Sequence, residues 1–501
     1  MSLTTINILL NNARLHIQSG ELDKGEELLF KAQALDGENP DVLRLLSVVA
    51  AMSFDYLRAL ELIDKVISLT PKNAIAYSNR GNILKELYRL DEALISLDKA
   101  IELQPDYAEA YNNKGNVLQD LHRYEEALQW YDKAIALQQN YAEAYSNKGN
   151  ALELLHRHDE AMQHFDAATS INPRFIDGYW HKALGQLSGG NYQMGWQNYE
   201  ARWFKKHPTK LLYGNIPRLE TLQNISGKNV LIWAEQGLGD TLQFCRYIKL
   251  LVELGAAVTF VVQKPLIQVL GSMASYCTLV DKIHSDFESF DFQSPLLSLP
   301  LLFQTSVESI PLEIPYIACD QAKKLQFKSK LNLGRNLSVG VVWNGGFRAD
   351  HPELWAINKR RNIELEQIAK LKDIPGVDFY SLQKGDPAES EFMAKKDELW
   401  PNMINCVQWL DDFSDTAALI ENLDLIISVD TSTAHLAGAL GKPVWILNRY
   451  DSCWRWLRGR SDSPWYLTAK IYQQSKPGDW GGVLEQVKMD LSALALKHLN
   501  Q

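Results

Sequence analysis

Small and apolar positions recur at an interval of 34 residues through the first part of the chain. Gly81, Gly115 and Gly149 follow one another at this interval, and alanines repeat with the same spacing further along each unit. Glycine and alanine let two antiparallel helices approach closely, while larger apolar residues fill the seam between them. One helical hairpin cannot bury its apolar face alone, so neighbouring hairpins must stack. The period therefore predicts an all-α solenoid of about six hairpins over residues 6–209.

Prolines mark the ends of the repeats. Pro71, Pro105 and Pro173 stand at the same position of three units, and Gln139 takes that position in another. Proline ends a helix because it has no backbone hydrogen to donate. With this period and residue pattern, the array resembles the tetratricopeptide repeat, and the resemblance implies a superhelix that binds a protein or peptide partner in its groove.

Asparagines also follow the period and form two ladders. One interpretation is a row of amides along the inner groove that hydrogen-bonds an extended peptide. The alternative is that asparagine is simply common at these positions of the repeat. The groove candidates are Asn79, Asn113 and Asn147 in one ladder, and Asn82, Asn116 and Asn150 in the other.

The pattern changes after Trp203. The stretch 205–210 leads into a predicted linker over residues 210–227, after which short β-branched runs alternate with helical stretches. This alternation is typical of parallel sheets in α/β domains. It predicts two Rossmann-like lobes, 228–335 and 336–501. The strands are predicted at Val230–Trp233, Val258–Val262, Val339–Trp343, Val377–Leu382, Leu425–Val429 and Val444–Leu447.

A loop with two glycines follows the first predicted strand. It contains Gln236, Gly237 and Gly239, and Asp240 precedes a helical run predicted over 242–254. A dinucleotide-binding fingerprint would need a third glycine and an acidic residue after the next strand, and both are missing. Asp240 could cap the following helix, or it could act as a general base that takes a proton from an acceptor hydroxyl. The residues alone leave both roles open.

A cluster of hydroxyls follows the strand that ends at Asp430. Thr431, Ser432 and Thr433 stand where the next helix should begin, and His435 falls about one turn into it. The start of a helix carries free amide hydrogens and a partial positive charge, which suits a diphosphate. The alternative is that a hydroxyl merely caps the helix and His435 belongs to the core. The combination of strand, hydroxyls and helix favours a ligand site.

Together the two motifs resemble the signatures of the lipopolysaccharide heptosyltransferase-like glycosyltransferases. The similarity covers most of residues 228–495, and bacterial proteins that fuse tetratricopeptide repeats to such a domain share the stretches 233–247 and 477–480. The family has the two-lobed GT-B fold, needs no metal and transfers a sugar with inversion. The resemblance therefore implies a nucleotide-sugar donor, an acceptor side in lobe 228–335 and a donor side in lobe 336–501.

The resemblance also implies roles for individual residues. Asp240 would be the base that activates the acceptor, next to the acceptor-side loop of Gln236, Gly237 and Gly239. The segment from Asp430 to His435 would hold the diphosphate and ribose of the donor. Further donor-side residues are Arg361 as a phosphate ligand, Asn344 and Gly345 through their backbone amides, and Gln383 and Lys384.

A protein of a different class stays open as the alternative: an interaction scaffold whose C-terminal domain has lost catalysis. If the chain is a glycosyltransferase, the repeats are expected to recruit the acceptor, and a protein is the candidate acceptor. A homo-oligomer is a further expectation, because the surfaces of repeat arrays often self-associate.

Composition narrows the class of protein further. The net charge of −10 argues against a general nucleic-acid-binding protein, because no broad basic surface would neutralise phosphates. The apolar runs are shorter than the ~20 residues needed to span a bilayer, and the first residues lack the features of a signal peptide. Five scattered cysteines indicate neither a disulfide framework nor a metal motif. A cytoplasmic protein is therefore expected, and the family resemblance implies no metal and no cofactor besides the nucleotide-sugar substrate.

Overall fold

The computed structural model describes residues 2–205, 211–283, 287–331, 333–346 and 355–500. The chain divides into two compact units, Met1–Lys182 and Ala183–Gln501. The stretch 206–210, at the junction of the predicted array and linker, lies outside the described residues. No helix in the described ranges has both the length and the apolar character needed to cross a membrane.

Residues 2–199, all of them described, form twelve helices that alternate as the first and second members of hairpins. From Pro40 to Ile176 the first members begin one 34-residue period apart, which confirms the predicted repeat. The twelve helices are α1 (Ser2–Gln18), α2 (Leu22–Leu35), α3 (Pro40–Met52), α4 (Tyr56–Leu69), α5 (Ala74–Glu86), α6 (Leu90–Leu103), α7 (Ala108–Asp120), α8 (Tyr124–Leu137), α9 (Ala142–Leu154), α10 (His158–Ile171), α11 (Ile176–Ser188) and α12 (Tyr192–Tyr199).

The turn inside each hairpin uses one residue in the left-handed region. In α5–α6 this residue is Tyr88, with φ of 60°. Its amide donates to Lys85 O at 2.9 Å, and the amide of Arg89 donates to Leu84 O at 2.9 Å, which satisfies the last carbonyls of α5. The same position recurs with the period of the repeat, as Gly20, Phe54, Tyr88, His122, His156 and Gly190.

The periodic glycines hold the two helices of a hairpin close together. A Cβ at Gly115 would lie 2.5 Å from the ring of Tyr131, and one at Gly81 would lie 2.6 Å from Leu97. Tyr131 is fully buried and its hydroxyl donates to Asn116 Oδ1 at 2.8 Å, so the ring has little freedom to move away. The close approach expected from the sequence is therefore present in the hairpin.

Replacing Gly115 by Val is expected to destabilise the first unit. The new side chain would overlap the ring of Tyr131, and overpacking of this kind costs about 1–3 kcal/mol. Urea unfolding followed by far-ultraviolet circular dichroism measures the change. Gly37→Val is the matched control, because the nearest atom to a Cβ there is Gln33 O at 3.8 Å. Equal stability of the two variants would contradict the argument.

The first sheet of the second unit has four parallel strands. In chain order these are β1 (Asn229–Trp233), β2 (Ala257–Val261), β3 (Thr278–Val280) and β4 (Phe292–Pro295). Their spatial order is β3-β2-β1-β4, so the order reverses between β1 and β4. Strands β1 and β2 match the prediction, whereas the short β3 and β4 were not predicted. The helices of this region are α13 (Leu238–Phe244), α14 (Arg246–Glu253), α15 (Leu299–Leu302) and α16 (Gln321–Lys330).

The helical run predicted over 242–254 is wrong in its start and in its continuity. The helix begins at Leu238 and is divided in two at Cys245. Gly237 takes the N-cap position of α13 with φ of −70° and ψ of 167°, so the glycine loop itself contributes the first turn. Asp240 therefore lies inside the helix.

The second sheet has six parallel strands, β5 (Leu337–Val342), β6 (Val377–Ser381), β7 (Ile404–Asn405), β8 (Leu425–Val429), β9 (Val444–Asn448) and β10 (Ala469–Gln473). Their spatial order is β10-β9-β8-β5-β6-β7, so the order reverses between β5 and β8. Strands β7 and β10 were not predicted. The helices are α17 (Trp355–Arg361), α18 (Leu365–Ile368), α19 (Ala388–Leu399), α20 (Phe413–Asn422), α21 (Ser432–Ala439) and α22 (Trp480–Leu499).

The topology places both motifs where α/β proteins bind ligands. In an open parallel sheet, ligands bind outside the carboxyl ends of the strands at the point where the strand order reverses. The glycine loop follows β1 and the hydroxyl cluster follows β8, and each of these strands borders the reversal in its own sheet. The two motifs are thus positioned by the same rule in two separate sheets.

Candidate functional site

Asp240 is held at the start of α13 by two partners. Its Oδ2 accepts a hydrogen bond from the amide of Gly237 at 2.9 Å, and its Oδ1 pairs with the Nη2 of Arg455. The capping contact proposed from the sequence is therefore present, although it is made from inside the helix rather than from the N-cap position. The partnership with Arg455 was not predicted.

Gly239 allows α13 and α21 to cross closely. A Cβ at Gly239 would lie 2.7 Å from Cδ2 of His435 and 3.5 Å from Cα of Ser432. A side chain at this position would therefore push the start of α13 away from the start of α21. The absence of a side chain brings the two motifs together.

The hydroxyl cluster starts α21 without capping it. Thr431 is at the N-cap position, but its Oγ1 hydrogen-bonds Ser428 Oγ at 2.9 Å, and no side chain of the described residues caps the helix. The first amides of α21 consequently keep their capacity to donate to a ligand. Ser432 and Thr433, the first two residues of the helix, are partly exposed.

His435 is buried, with 4% of its surface exposed. Its ring stacks on Trp456 with centroids 5.2 Å apart, its Nδ1 hydrogen-bonds the hydroxyl of Tyr466 at 2.9 Å, and its Nε2 lies 3.7 Å from Asp430 Oδ1. Burial lowers the pKa of His435 to about 4. The effect of burial is larger than that of the Asp430 carboxylate, which acts to raise this pKa. The imidazole is therefore neutral at pH 7.

Arg361 and Gln383 organise the ends of the central strands of the second sheet. Arg361 donates to the carbonyl of Asp430 at 3.0 Å and to the carbonyl of Gly345 at 3.3 Å. The Oε1 of Gln383 accepts from the amide of Asn344 at 2.8 Å.

The amide of Gly345 donates to Asn362 Oδ1 at 2.9 Å, so the two amides assigned to the donor, those of Asn344 and Gly345, already have acceptors within the protein. Lys384 donates to the carbonyl of Leu410.

These residues surround one cavity of about 1240 Å³ in the second unit. Every site residue predicted for the α/β region lines it, from both motifs, from the ends of β5 and β6 and from α17. The predicted residues in its wall are Gln236, Gly237, Gly239, Asp240, Asn344, Gly345, Arg361, Gln383, Lys384, Asp430, Thr431, Ser432, Thr433 and His435.

The charged residues of this wall that sequence reasoning missed include Arg455 and Glu235. Arg455 stands between two buried tryptophans, Trp454 and Trp456. From the sequence, these aromatic residues could either pack in the core or stack on a base or sugar, and neither interpretation indicates a role for the arginine between them. Glu235 directly precedes the glycine loop, and this position next to a predicted ligand-binding loop could have identified it as a candidate site residue.

The side chain of Glu235 is inaccessible to solvent, and its Oε1 accepts from Arg202 at 3.2 Å and from the amide of Leu297 at 3.1 Å. Burial raises the pKa of Glu235 to about 7, although Arg202 acts in the opposite direction. Arg202 also pairs with Glu200 at 2.6 Å, so Glu235, which directly precedes the start of α13, is held by a buried arginine that has a second carboxylate partner.

The asparagine ladders lie on α5, α7 and α9. Asn113 donates from Nδ2 to Ser78 Oγ at 3.1 Å, and Asn147 donates to Asn112 Oδ1 at 3.0 Å. Each bond joins the first helices of neighbouring hairpins. These two amides therefore contribute to the packing of the array itself.

The second ladder is also engaged at two positions. Asn116 Oδ1 accepts from the hydroxyl of Tyr131 at 2.8 Å, and Asn150 Nδ2 lies 3.1 Å from His181 Nδ1. The first of these contacts is within one hairpin, and the second joins α9 to α11.

Comparison with protein families identifies the helical array. Residues 72–140 and 106–174 match the tetratricopeptide-repeat family model. The repeats are tetratricopeptide repeats. The match agrees with the helix boundaries, since each matched range contains consecutive hairpins of the same period.

A curated relative extends beyond the repeats. The chain is 27% identical over 333 residues to Protein FlbA of Caulobacter vibrioides, an alignment that covers 62% of this chain and 54% of FlbA. The chain thus spans about half the length of this relative. Because 62% of 501 residues exceeds the first unit of 182 residues, part of the α/β unit belongs to the matched region.

Solved structures with some likeness to the chain include a thermophilic tetratricopeptide-repeat protein of Thermus thermophilus. It is 22% identical with a TM-score of 0.35, and the likeness covers 36% of this chain and 99% of that one. Pseudomonas aeruginosa pilF is 18% identical with a TM-score of 0.34, covering 39% of this chain and 90% of that one.

Proposed function

We propose that the second unit is an inverting, metal-independent glycosyltransferase of the GT-B type. It would move a sugar from a nucleotide-sugar donor to an acceptor hydroxyl, and the tetratricopeptide array would recruit the acceptor, a protein or peptide. One observation carries the proposal. A single cavity lies at the strand-order reversals of two parallel sheets, with the carboxylate of Asp240 from one motif and the uncapped start of α21 from the other in its wall.

The donor side has the chemistry that a diphosphate requires. Three hydroxyls and the free amides at the start of α21 can donate to phosphate oxygens, and the helix dipole adds a partial positive charge. Arg361, Lys384 and Arg455 line the same cavity and add cationic charge. These groups would neutralise the leaving group without a bound metal ion.

The transfer is a single displacement at the anomeric carbon. The acceptor oxygen forms a bond to this carbon as the bond to the phosphate oxygen breaks, which inverts the configuration. Asp240 accepts the proton of the acceptor hydroxyl, and the nucleoside diphosphate leaves with the bonding electron pair. His435 is neutral and buried, so in this scheme it positions Asp430 and the start of α21 and does not take the proton.

For the acceptor, the ladder asparagines offer amide groups to an extended chain. The side chains of Asn79 and Asn82 form no hydrogen bonds with the described residues, whereas Asn113 and Asn147 donate to neighbouring repeats. In the proposal, the amides that the array does not use contact the backbone of a bound peptide. Main-chain recognition of this kind does not depend on the peptide sequence.

Calorimetry on the full chain tests the function. We expect at least one of UDP, ADP and GDP to bind in buffer containing EDTA, with an affinity in the range of about 1 μM to 1 mM that is typical of enzyme substrates. A catalytically inactive scaffold without a nucleotide site would bind none of them, and that result would overturn the proposal.

A matched pair of variants at Ser432 tests whether the diphosphate binds at the start of α21. Ser432→Glu adds a carboxylate at the first position of the helix, where the dipole favours negative charge but a diphosphate would be repelled. We expect this variant to keep its melting temperature and to lose diphosphate binding. Ser432→Ala should retain most of the affinity.

A further inference from the structure

We propose that Arg455, which pairs with Asp240 in this structure, is a phosphate ligand of the donor, so that donor binding releases the Asp240 carboxylate for catalysis. The inference rests on the proposed function and adds an order of binding to it. The donor would bind first, and the acceptor hydroxyl would lose its proton only afterwards.

The environment of Arg455 suits a ligand for an anion. Its guanidinium has five N–H donors, and the side chain is 11% exposed. Nη2 donates to Asp240 Oδ1, Nη1 lies 3.1 Å from the weak acceptor Sγ of Cys453, and the buried Nε has no partner among the described residues. Within the described part of the chain, this cation in the wall of a cavity thus has one strong acceptor.

A neighbouring buried arginine shows what a purely structural role looks like. Arg246 donates from Nε to Gln243 O at 2.9 Å, from Nη1 to Pro311 O and Trp465 O at 3.0 Å each, and from Nη2 to the hydroxyl of Tyr316 at 2.9 Å. All three of its nitrogens therefore have oxygen acceptors. Arg246 does not line the cavity, whereas Arg455 does.

Each oxygen of Asp240 has a hydrogen-bond donor of the protein beside it. Both carboxylate oxygens accept hydrogen bonds, Oδ1 from Arg455 and Oδ2 from the amide of Gly237. In the proposed order of binding, Arg455 moves to a phosphate at the start of α21, the anion that the proposed reaction brings, and this frees Oδ1 of Asp240 for the acceptor hydroxyl.

The backbone on both sides of Arg455 is held by buried tryptophans, so the proposed movement of Arg455 from Asp240 to the phosphate is a movement of its side chain. Trp454 and Trp456 are buried on either side, and the guanidinium lies 4.3 Å from the ring centroid of Trp454. Arg455 lines the cavity together with Thr431 and Ser432, so a rotation of its side chain stays within the same cavity.

Because Asp240 and the phosphate compete for the guanidinium of Arg455, substitutions of Arg455 and of Asp240 should change the diphosphate affinity in opposite directions. Loss of Arg455 removes a ligand of the phosphate and leaves the Asp240 charge to repel it. Loss of the Asp240 charge removes the competitor, which should strengthen the binding of a diphosphate. A salt bridge that only stabilises the fold would lower stability in both variants and leave diphosphate affinity equal.

The test is calorimetry of UDP, ADP and GDP, each compared with its nucleoside, on the full chain and its variants. For the diphosphate that binds, we expect Arg455→Gln to weaken the affinity by about tenfold or more, because charge-assisted bonds to phosphate are lost. Asp240→Asn should bind it more tightly than the unmodified chain. Affinity for the nucleoside should stay unchanged in both variants.

An exposed ion pair five residues away is the matched control. Arg460 and Asp462 pair at 2.7 Å on the surface, so Arg460→Gln and Asp462→Asn repeat the same chemical changes outside the cavity. Neither should change the affinity for the diphosphate. If Arg455→Gln does not fold, Arg455→Lys keeps the charge without the planar fork and should show a smaller loss of affinity.

The outcomes separate the two proposals. If the unmodified chain binds none of the diphosphates, the proposed function fails, and this inference fails with it. If it binds one and both variants keep that affinity, or both weaken it, only the role of Arg455 as a releasable phosphate ligand is overturned. Opposite changes in the two variants support the inference.

Discussion

Replacement of Asp240 by Asn is expected to reduce sugar transfer by about 10²–10⁴-fold, the usual contribution of a general base. The amide keeps the shape of the side chain but cannot accept the proton of the acceptor hydroxyl. Because the neutral amide would no longer attract Arg455, the nucleoside diphosphate should still bind. The loss should therefore appear in turnover and not in donor affinity.

The measurement uses the donor whose nucleotide is identified by calorimetry and follows the release of the nucleoside diphosphate. Asp462→Asn is a suitable control, because this exposed carboxylate pairs with Arg460 outside the cavity. Unreduced turnover in the Asp240→Asn variant would remove Asp240 from the mechanism. A parallel loss of turnover and of diphosphate binding would indicate that Asp240 supports the donor site instead.

Replacement of Gly239 by Val is expected to lower the free energy of unfolding of the second unit by about 1–3 kcal/mol, the usual cost of overpacking. A Cβ at this position would lie 2.7 Å from Cδ2 of His435. His435 cannot move away easily, because its ring stacks on Trp456 and its Nδ1 hydrogen-bonds Tyr466. The variant should also lose diphosphate binding, since the start of α21 would be displaced.

Tryptophan fluorescence during urea unfolding monitors this change well. Of the fourteen tryptophans, all except Trp130 and Trp180 belong to the second unit. Gly271→Val is the matched control, because no atom lies within 4 Å of a Cβ built there. In a His435→Ala background the added cost of Gly239→Val should shrink, since the colliding ring is gone. An unchanged cost would show that the overlap with His435 is not the cause.

Prediction from the sequence was most successful where the structure depends on local pattern. The helical hairpins follow a strict period. Each has the same packing between its two helices and the same type of turn, so the structure of one repeat predicts that of the next. The central strands β1, β2, β5, β6, β8 and β9 were recognised because they are apolar runs buried in parallel sheets. The four missed strands, β3, β4, β7 and β10, have shorter or less uniformly apolar sequences.

The start of α13 shows a second limit of local pattern. Two glycines and an aspartate indicate a turn, yet the helix already begins at Leu238 and includes Gly239 and Asp240. Glycine lowers helix propensity by about 1 kcal/mol relative to alanine, which is why the prediction placed the helix later. The close packing of α13 against His435 outweighs this preference, and that packing involves a residue almost 200 positions away.

The repeat array, the α/β character of the second half and the two motifs could be predicted from the amino-acid sequence, because these features depend on spacing within short segments. The three-dimensional packing was needed to show that the motifs border one cavity and that Arg455 pairs with Asp240, 215 residues away along the chain. Strand order and ion pairs between distant residues depend on how whole elements pack. No local periodicity specifies either of them.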